Sequence, residues 1–230
     1  MNKYKVFQSY YNKNQLSSLE KNCIPFFNKK ASPLLESQIL VDILKNGYHK
    51  HSEWCGLISW KYSKKVQSSG FRSLDKIINM ADKFDVVAPR AESYLFYPKI
   101  AREHYLLNIH MDIKEPLLRI IYELQKKNLL KNEIPCLTSK QNNIYCNYWI
   151  AKNNFFESFV EKCLIPSIEI IKNNSTIGDL CLSDANYGRT PPASFTEQTG
   201  FDYYPLAPFV LERMINVYIS SEAAKVLYIL

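Results

Sequence analysis

Polar, cationic and aromatic side chains stand at the ends of several short apolar runs of this sequence. These residues are Ser9, Tyr10, Ser59, Trp60, Lys61, Arg90 and Asn147. A lysine or an arginine can bind a phosphate group, and an aromatic ring can stack on a base or a sugar. Together, these residue types favour a phosphorylated small molecule as the ligand.

Several motifs that mark other kinds of site are absent from the sequence. It contains no G-x-G-x-x-G dinucleotide motif, no Walker A loop, no H-E-x-x-H and no G-x-S-x-G. His49 and His51 form a close pair, but no cysteine or pair of acids stands nearby at a spacing that suits a metal ion. We interpret this pair as part of a surface loop, with a metal site as the alternative.

The elements that must position these residues alternate along the chain. β-Branched and aromatic runs predict strands at residues 4–11, 54–60, 84–88 and 144–151. Apolar residues at helical spacing predict helices between Ser32 and Asn46 and at residues 73–83, 98–109, 113–131, 155–171 and 208–224. This alternation predicts an α/β fold with a mainly parallel sheet. Ligands of such sheets bind beyond the carboxyl ends of the strands, where the residues above are expected.

We predict that residues 1–230 form a single domain, because no internal repeat or linker divides them. Two details of this prediction concern the second half of the chain. Asn153 or Asn154 is a candidate cap for the helix that follows the last predicted strand. Residues 173–205 show no clear period and predict a long irregular loop, which is either a functional lid or a simple connection.

The net charge of +7 is concentrated in the first part of the chain, since residues 1–65 hold 11 lysines and 4 acids. This predicts a surface that attracts phosphates or an anionic membrane, or else a solvated lysine-rich face. The bases are dispersed without an RNA-binding signature, so no nucleic-acid partner is expected. The six cysteines form no C-x-x-C pair and are interpreted as reduced thiols of the core. Neither an export signal nor a membrane-spanning run is visible, so the sequence predicts a cytoplasmic protein.

Four blocks of the sequence, in order, resemble those of a known family. They are residues 54–62 (WCGLISWKY), 84–89 (FDVVAP), 147–152 (NYWIAK, followed by Phe155 and Phe156) and 204–214 (YPLAPFVLERM). The blocks are similar to those of bacterial glycosyltransferases that build capsule and lipopolysaccharide, including galactofuranosyltransferase-like enzymes. The resemblance covers roughly residues 1–220.

The resemblance implies a GT-A-like fold with a Rossmann-like sheet, a nucleotide-sugar donor, and transfer onto a growing or lipid-linked glycan. Most GT-A enzymes hold Mg²⁺ or Mn²⁺ with a D-x-D motif, and this chain has no D-x-D. A fixed cation could replace the metal beside the diphosphate, and Lys61 is the first candidate, with Arg213 as the second. Lys61 could instead be a solvated lysine, and Lys64 and Lys65 are interpreted as solvated.

An inverting transfer needs a carboxylate that takes the acceptor's proton. The resemblance makes Glu212 the candidate base, although Glu212 and Arg213 could equally form a structural ion pair. Other candidate bases, which the sequence does not rank, are Glu53, Asp85, Asp112 and Asp184. The sequence does not distinguish inversion from retention.

The predicted donor-binding residues are Ser9, Tyr10, Asn28, Trp60, Asp85, Arg90 and Asn147. Asn28 is included on the resemblance alone. Asn147 would need hydrogen-bond partners in an apolar strand, and these could be donor hydroxyls or neighbouring backbone groups. Tyr10 and Trp60 could instead be core or rim aromatics.

The sequence therefore predicts a glycosyltransferase that acts at the inner face of the membrane, with possible peripheral attachment to anionic lipid. One alternative is a catalytically inactive nucleotide- or glycan-binding domain of the same fold. A more remote alternative is another small α/β transferase, such as a nucleotidyltransferase.

Overall fold

The structure is a computed structural model that describes residues 2–29, 32–66, 74–94, 112–134 and 143–229. Its strands are β1 (Asn2–Tyr10), β2 (Ile24–Phe27), β3 (Ser52–Ser59), β4 (Val86–Pro89), β5 (Trp149–Lys152) and β6 (Val226–Ile229). Its α-helices are α1 (Glu36–Lys45), α2 (Tyr62–Lys65), α3 (Leu74–Met80), α4 (Lys114–Lys126), α5 (Asn153–Phe159), α6 (Ile165–Asn173), α7 (Ser175–Leu182), α8 (Ala193–Thr199) and α9 (Ala207–Glu222). Short 3₁₀ helices lie at Lys13–Ser18 and Ala91–Ser93.

The described strands form one sheet in the order β2-β1-β3-β5-β4-β6. β5 runs antiparallel to its neighbours β3 and β4, whereas the pairings of β1 with β2, of β1 with β3 and of β4 with β6 are parallel. The carboxyl ends of the parallel strands and the amino end of β5 therefore share one edge, which we call the carboxyl edge. The predicted α/β fold with a mainly parallel sheet is confirmed.

Side chains of the central strands alternate between two hydrophobic layers, as the pleat of a strand requires. Phe7 and Leu57 belong to the layer that packs against α1, α4 and α9, whereas Val6 and Ile58 belong to the layer under α2 and α3. β3 is buried along nearly its whole length, which explains its almost continuous apolar sequence. The sheet is thus covered on both faces, and its carboxyl edge is where polar residues gather.

Gly56 allows β3 and β5 to approach closely in the middle of the sheet. A Cβ atom at this position would lie 2.3 Å from the carbonyl oxygen of Trp149 and 2.8 Å from the Cα of Ile150. Both atoms belong to the backbone, so they cannot move aside as a flexible side chain would. A residue larger than glycine does not fit here without displacing the strand.

The predicted helix at residues 155–171 is confirmed as a continuous helical segment, in which a π-helical turn at Val160–Leu164 joins α5 to α6. Pro166 follows this turn and has no N–H to donate, which accounts for the local change in helical hydrogen bonding. The predicted asparagine cap is wrong, because β5 runs directly into a helix that begins at Asn153 itself. The preceding residue, Lys152, makes no side-chain cap.

Several predicted boundaries are wrong. Of the run 144–151, only residues 149–151 belong to a strand, β5, because Cys146 and Asn147 have left-handed φ angles of 61° and 55° that interrupt extended backbone. The region 173–205, predicted to be irregular, contains α7 and α8. The sequence prediction did not include β2 and β6. The helix predicted at 98–109 lies outside the described residues.

Two helices agree better with their predictions. The last predicted helix, 208–224, is confirmed as α9. The predicted helix after Ser32 begins later, at Glu36, because Leu35 has a φ of 46° and breaks the helical path. The Ser32 hydroxyl instead accepts a hydrogen bond from the Leu34 N–H, within the turn before the helix. None of the helices in the described ranges combines the length and the apolar character that crossing a bilayer requires.

Candidate functional site

Four basic side chains gather at the carboxyl edge, next to the end of β3. Lys61 precedes α2, Lys64 and Lys65 lie on α2, and Arg189 comes from the segment before α8. The ammonium groups of Lys61 and Lys64 lie 5.3 Å and 4.9 Å from the centre of the Trp60 ring. We call these four residues the cationic cluster.

Lys61 is the member of the cluster whose charge is most affected by the others. Burial lowers the pKa of Lys61, and repulsion from Lys65, Arg189 and Lys64 lowers it further, whereas Glu36 opposes the shift. Repulsion of Lys61 by three neighbouring cations indicates an excess of positive charge at this place. An anion that bound here would relieve the repulsion.

Lys65 is half-buried and bonded to another side chain, which corrects its interpretation as a solvated lysine; Lys64 is exposed, as predicted. The Lys65 ammonium donates to the Cys146 Sγ at 3.4 Å and lies 5.8 Å from the centre of the Tyr148 ring. Burial lowers the pKa of Lys65, but attraction to Cys146, Tyr148 and Glu212 raises it more, so the net shift is upward. Lys65 therefore stays charged in the folded protein.

The segment before β5, residues 143–148, lies beside Lys65, and we call it the floor of the site. Hydrogen bonds from α9 hold it in place. The Glu212 Oε1 accepts a hydrogen bond from the Cys146 N–H at 2.7 Å. One helical turn further on, the Asn216 side chain accepts from the Ile144 N–H at 2.8 Å and donates to the Ile144 carbonyl at 3.0 Å. These bonds stabilise the left-handed backbone at residues 146 and 147, and they place the buried Asn147 at the carboxyl edge.

A group of buried tyrosines packs under this segment. Tyr148 contacts the rings of Tyr62 and Tyr94 at centroid distances of 5.2 Å and 6.3 Å, and its hydroxyl lies 2.6 Å from the Ser59 Oγ. The Tyr94 hydroxyl donates to the Tyr145 carbonyl at 3.0 Å. This packing fixes the end of β3 against the segment before β5, and so makes the floor of the site rigid.

A second polar group lies at the same edge, around the first turn of α1. The hydroxyl of the half-buried Tyr11 donates to the Glu36 Oε1 at 3.1 Å. Burial raises the pKa of Tyr11 well above its usual range, and Glu36 raises it further, while the nearby side chains of Ser9 and Asn28 oppose the shift. The predicted residues Ser9 and Asn28 therefore meet at this tyrosine.

The structure brings several of the predicted site residues to one end of the carboxyl edge, although no ligand contact tests their roles. Ser9, Tyr10, Asn28, Trp60, Lys61, Asn147 and Glu212 lie there. Tyr10 stacks on the exposed Phe27 of the next strand, with centroids 5.1 Å apart. Tyr10 and Trp60 are both half-buried and are thus rim aromatics.

Three predicted residues lie elsewhere. Asp85 precedes β4 and is therefore at the opposite edge of the sheet, where its carboxylate accepts from the Lys225 N–H at 2.9 Å. Arg90 is exposed at the carboxyl edge, but it follows β4, on the far side of β5. Arg213 is buried within α9, where its guanidinium donates to the Phe209 carbonyl and burial lowers its pKa.

The other candidate bases that the sequence offered are Glu53, Asp112 and Asp184. Glu53 lies near the start of β3, at the opposite edge of the sheet, and Asp184 and Asp112 are exposed. Sequence reasoning missed Glu36, Arg189 and Asn216, whose positions in the sequence carry no signal that separates them from ordinary surface residues. Their roles depend on distant segments that meet only in the folded chain.

His49 is buried, so its interpretation as part of a surface loop is wrong. Its Nε2 lies 2.7 Å from the Glu157 Oε1, and its Nδ1 lies 3.3 Å from the Ile43 carbonyl. This pair lines a cavity of about 450 Å³ between α1 and α5. Since α1 begins at the carboxyl edge and the cavity lies at its far end, the cavity is separate from the cationic cluster.

A divalent cation of the kind that GT-A enzymes use does not fit the donor groups of this site. The described residues contain no group of three or more histidine, cysteine, aspartate or glutamate side chains that could hold a metal ion. Beside β3, where a D-x-D motif would supply carboxylates, the side chains are ammonium groups, which repel a metal ion. We therefore derive no chemical step through a metal.

No protein-family model and no curated protein sequence matches this chain. A solved structure does: the apo structure of the bifunctional glycosyltransferase WbbM, with a TM-score of 0.55 and 13% sequence identity. The match covers 99% of this chain and 44% of WbbM, so this chain spans less than half the length of that protein. The chain thus has a glycosyltransferase-like fold.

Proposed function

We propose that this protein is a glycosyltransferase that moves a sugar from a nucleotide-sugar donor to a glycan or lipid-linked acceptor. The observation that carries the proposal is the cationic cluster at the carboxyl edge of a glycosyltransferase-like sheet. Ligands of open α/β sheets bind at this edge. The fold by itself does not specify an activity, so the argument depends on the chemistry of the cluster.

The cluster suits the diphosphate of such a donor. Two carboxylates, Glu36 and Glu212, interact with the four cations of the cluster, which leaves an excess of positive charge. When the glycosidic bond breaks, negative charge develops on the departing diphosphate, and fixed cations stabilise it. In this proposal Lys61 and Arg189 contact the diphosphate, while Lys65 adds a fixed charge from below.

The aromatic residues at the edge fit the rest of the donor. Tyr10 and Phe27 lie one and two strands away from β3, and neighbouring strands are about 4.8 Å apart. A donor that extends along the edge from the cluster therefore passes over these rings. Asn28, which follows β2, offers donors and acceptors for hydroxyl groups along this path, and Asn147 offers them on the other side of β3, before β5.

The finer parts of the proposal are a GT-A-type fold and a place in the bacterial synthesis of capsule or lipopolysaccharide, next to the inner membrane face. The sequence blocks at residues 54–62 and 204–214 support them. Lysines outside the cluster would attract anionic lipid. Sedimentation with anionic and neutral liposomes tests this association, and equal pelleting with both would contradict it.

Nucleoside-diphosphate binding tests the central proposal. Isothermal titration with UDP, GDP and dTDP in EDTA should show binding of at least one of them without a divalent ion. Charge-assisted hydrogen bonds contribute about 1.5–3 kcal/mol, so Lys61→Met should raise the Kd by roughly 10- to 150-fold. Lys172→Met, which removes an exposed lysine on α6, is the matched control and should bind like the wild type.

The outcomes separate the possible functions. Release of UDP from a panel of UDP-sugars, in the presence of EDTA, supports a metal-free transferase. Turnover only with Mg²⁺ or Mn²⁺ would contradict the role of the cationic cluster. Binding without turnover would indicate the inactive binding domain, and release of pyrophosphate would indicate a nucleotidyltransferase.

A further inference from the structure

The two carboxylates beside the cationic cluster have different surroundings. Glu212 accepts a hydrogen bond from the Cys146 N–H, and its charge interacts with the side chains of Lys65 and Arg213. These contacts tie Glu212 to the floor of the site. A carboxylate that holds backbone and interacts with two cations is poorly placed to take a proton from a substrate.

Glu36 is held at one oxygen only. Its Oε1 accepts from the Tyr11 hydroxyl, and its Oε2 makes no side-chain hydrogen bond within the part of the chain that the structure describes. The side chain is half-buried in the first turn of α1, at the carboxyl edge, so one carboxylate oxygen can meet a substrate that arrives from solvent. The half-buried Tyr11 fixes the direction of the group.

Glu36 also interacts electrostatically with the residue proposed to bind the diphosphate. It is close enough to Lys61 to oppose the shift in that lysine's pKa. Its charge likewise reaches Tyr204 and Cys146, on other sides of the site. A donor whose diphosphate is held by Lys61 is therefore bound at the same edge of the sheet as Glu36, within reach of its charge.

We infer that Glu36 is the general base of an inverting sugar transfer, an inference that rests on the proposed function. The acceptor O–H bond breaks, and its proton passes to the free oxygen of the Glu36 carboxylate. The electron pair of that bond stays on the acceptor oxygen, which forms a new bond to the anomeric carbon of the donor. The bond from this carbon to the phosphate oxygen breaks, and its electron pair leaves with the nucleoside diphosphate.

The test compares Glu36→Gln with the wild type in two separate measurements. The first is the Kd for UDP, and the second is the rate of UDP release from UDP-glucose, UDP-galactose and UDP-N-acetylglucosamine with water as the acceptor. A general base contributes about 10²- to 10⁴-fold, so the variant should lose turnover by that factor, while its Kd changes by less than about threefold. Glutamine can still accept from Tyr11, so the local structure should persist.

Matched variants exclude a merely structural effect. Glu169→Gln removes an exposed carboxylate on α6 and should retain wild-type turnover. Glu36→Asp keeps a carboxyl group and should recover part of the rate lost in Glu36→Gln. Tyr11→Phe leaves the carboxylate in place without its hydrogen bond, and should lower turnover less than Glu36→Gln does. Circular dichroism checks that each variant folds.

The results distinguish this inference from the proposed function. If the wild type binds UDP and turns over but Glu36→Gln is equally active, the role of Glu36 is wrong and the glycosyltransferase proposal stands. If NMR shows that the sugar product retains the anomeric configuration of the donor, the base assignment is also wrong. A wild type without any turnover would overturn both proposals.

Discussion

The electrostatic interaction between Lys65 and Glu212 allows a quantitative test of the site's architecture by a double-mutant cycle. Lys65→Met preserves most of the side-chain volume and removes the charge. Glu212→Gln removes the opposite charge but keeps a carbonyl oxygen that can accept from the Cys146 N–H. The double variant lacks both charges and keeps this hydrogen bond, so the cycle isolates the electrostatic interaction.

The size of the effect follows from the burial of the two partners. Removing one member of a fully buried ion pair costs about 3–5 kcal/mol. Lys65 and Glu212 are both only half-buried, and Glu212 also interacts with Arg213, so a smaller cost is expected. We expect each single variant to lose about 1–3 kcal/mol of unfolding free energy, and the double variant to lose less than the sum by about 1–2 kcal/mol.

Urea unfolding at 25 °C and neutral pH, followed by tryptophan fluorescence and circular dichroism, measures the four free energies. The pKa of Lys65 is raised in the folded protein, so its stabilising contribution is fully present at this pH and is lost only as the pH rises above the usual range of lysine. Losses that add to within about 0.3 kcal/mol would show that the two side chains do not interact, and would refute this description of the floor of the site.

Two further predictions concern the central strand β3 and the residue that follows it. The pKa of Lys61 is lowered, so nucleoside-diphosphate binding should weaken as the pH rises through this lowered value. Arginine keeps its charge at higher pH, so Lys61→Arg should still bind where the wild type no longer does. Binding titrations from pH 7 to 10 check this. Equal alkaline losses in both proteins would contradict the role of Lys61. Gly56→Ala should lower the free energy of unfolding in urea by about 3 kcal/mol or more, because its Cβ would meet the backbone of Trp149 and Ile150. A cost below about 1 kcal/mol would contradict the close approach of β3 and β5.

Much of the fold could be predicted because local patterns reflect burial on both faces of the sheet. The apolar run of β3 and the helical spacing in α4 and α9 report directly which side chains face the core. The short edge strands β2 and β6 carry no such pattern, since each pairs with only one neighbour. Their existence depends on β1 and β4, which the local sequence does not reveal.

The site was predictable only where its residues directly follow strands. Lys61 and Trp60 follow β3, and Asn28 follows β2, so their place at the carboxyl edge agrees with strand direction. Asn147 was predicted within a strand; it lies at the same edge because β5 is antiparallel and begins there. The prediction for Asp85 was wrong because Asp85 precedes β4 and therefore lies at the edge of the sheet opposite the carboxyl edge.

The sequence by itself determined an α/β chain with an excess of lysine near its start and without a D-x-D motif, because composition and apolar periodicity are local properties. Only the tertiary structure decided which charges act together. It joined Lys65 to Glu212, brought Arg189 to Lys61, and placed Glu36 under the hydroxyl of Tyr11. Such pairings depend on chain segments far apart in sequence, and electrostatic energy depends on their distance in space.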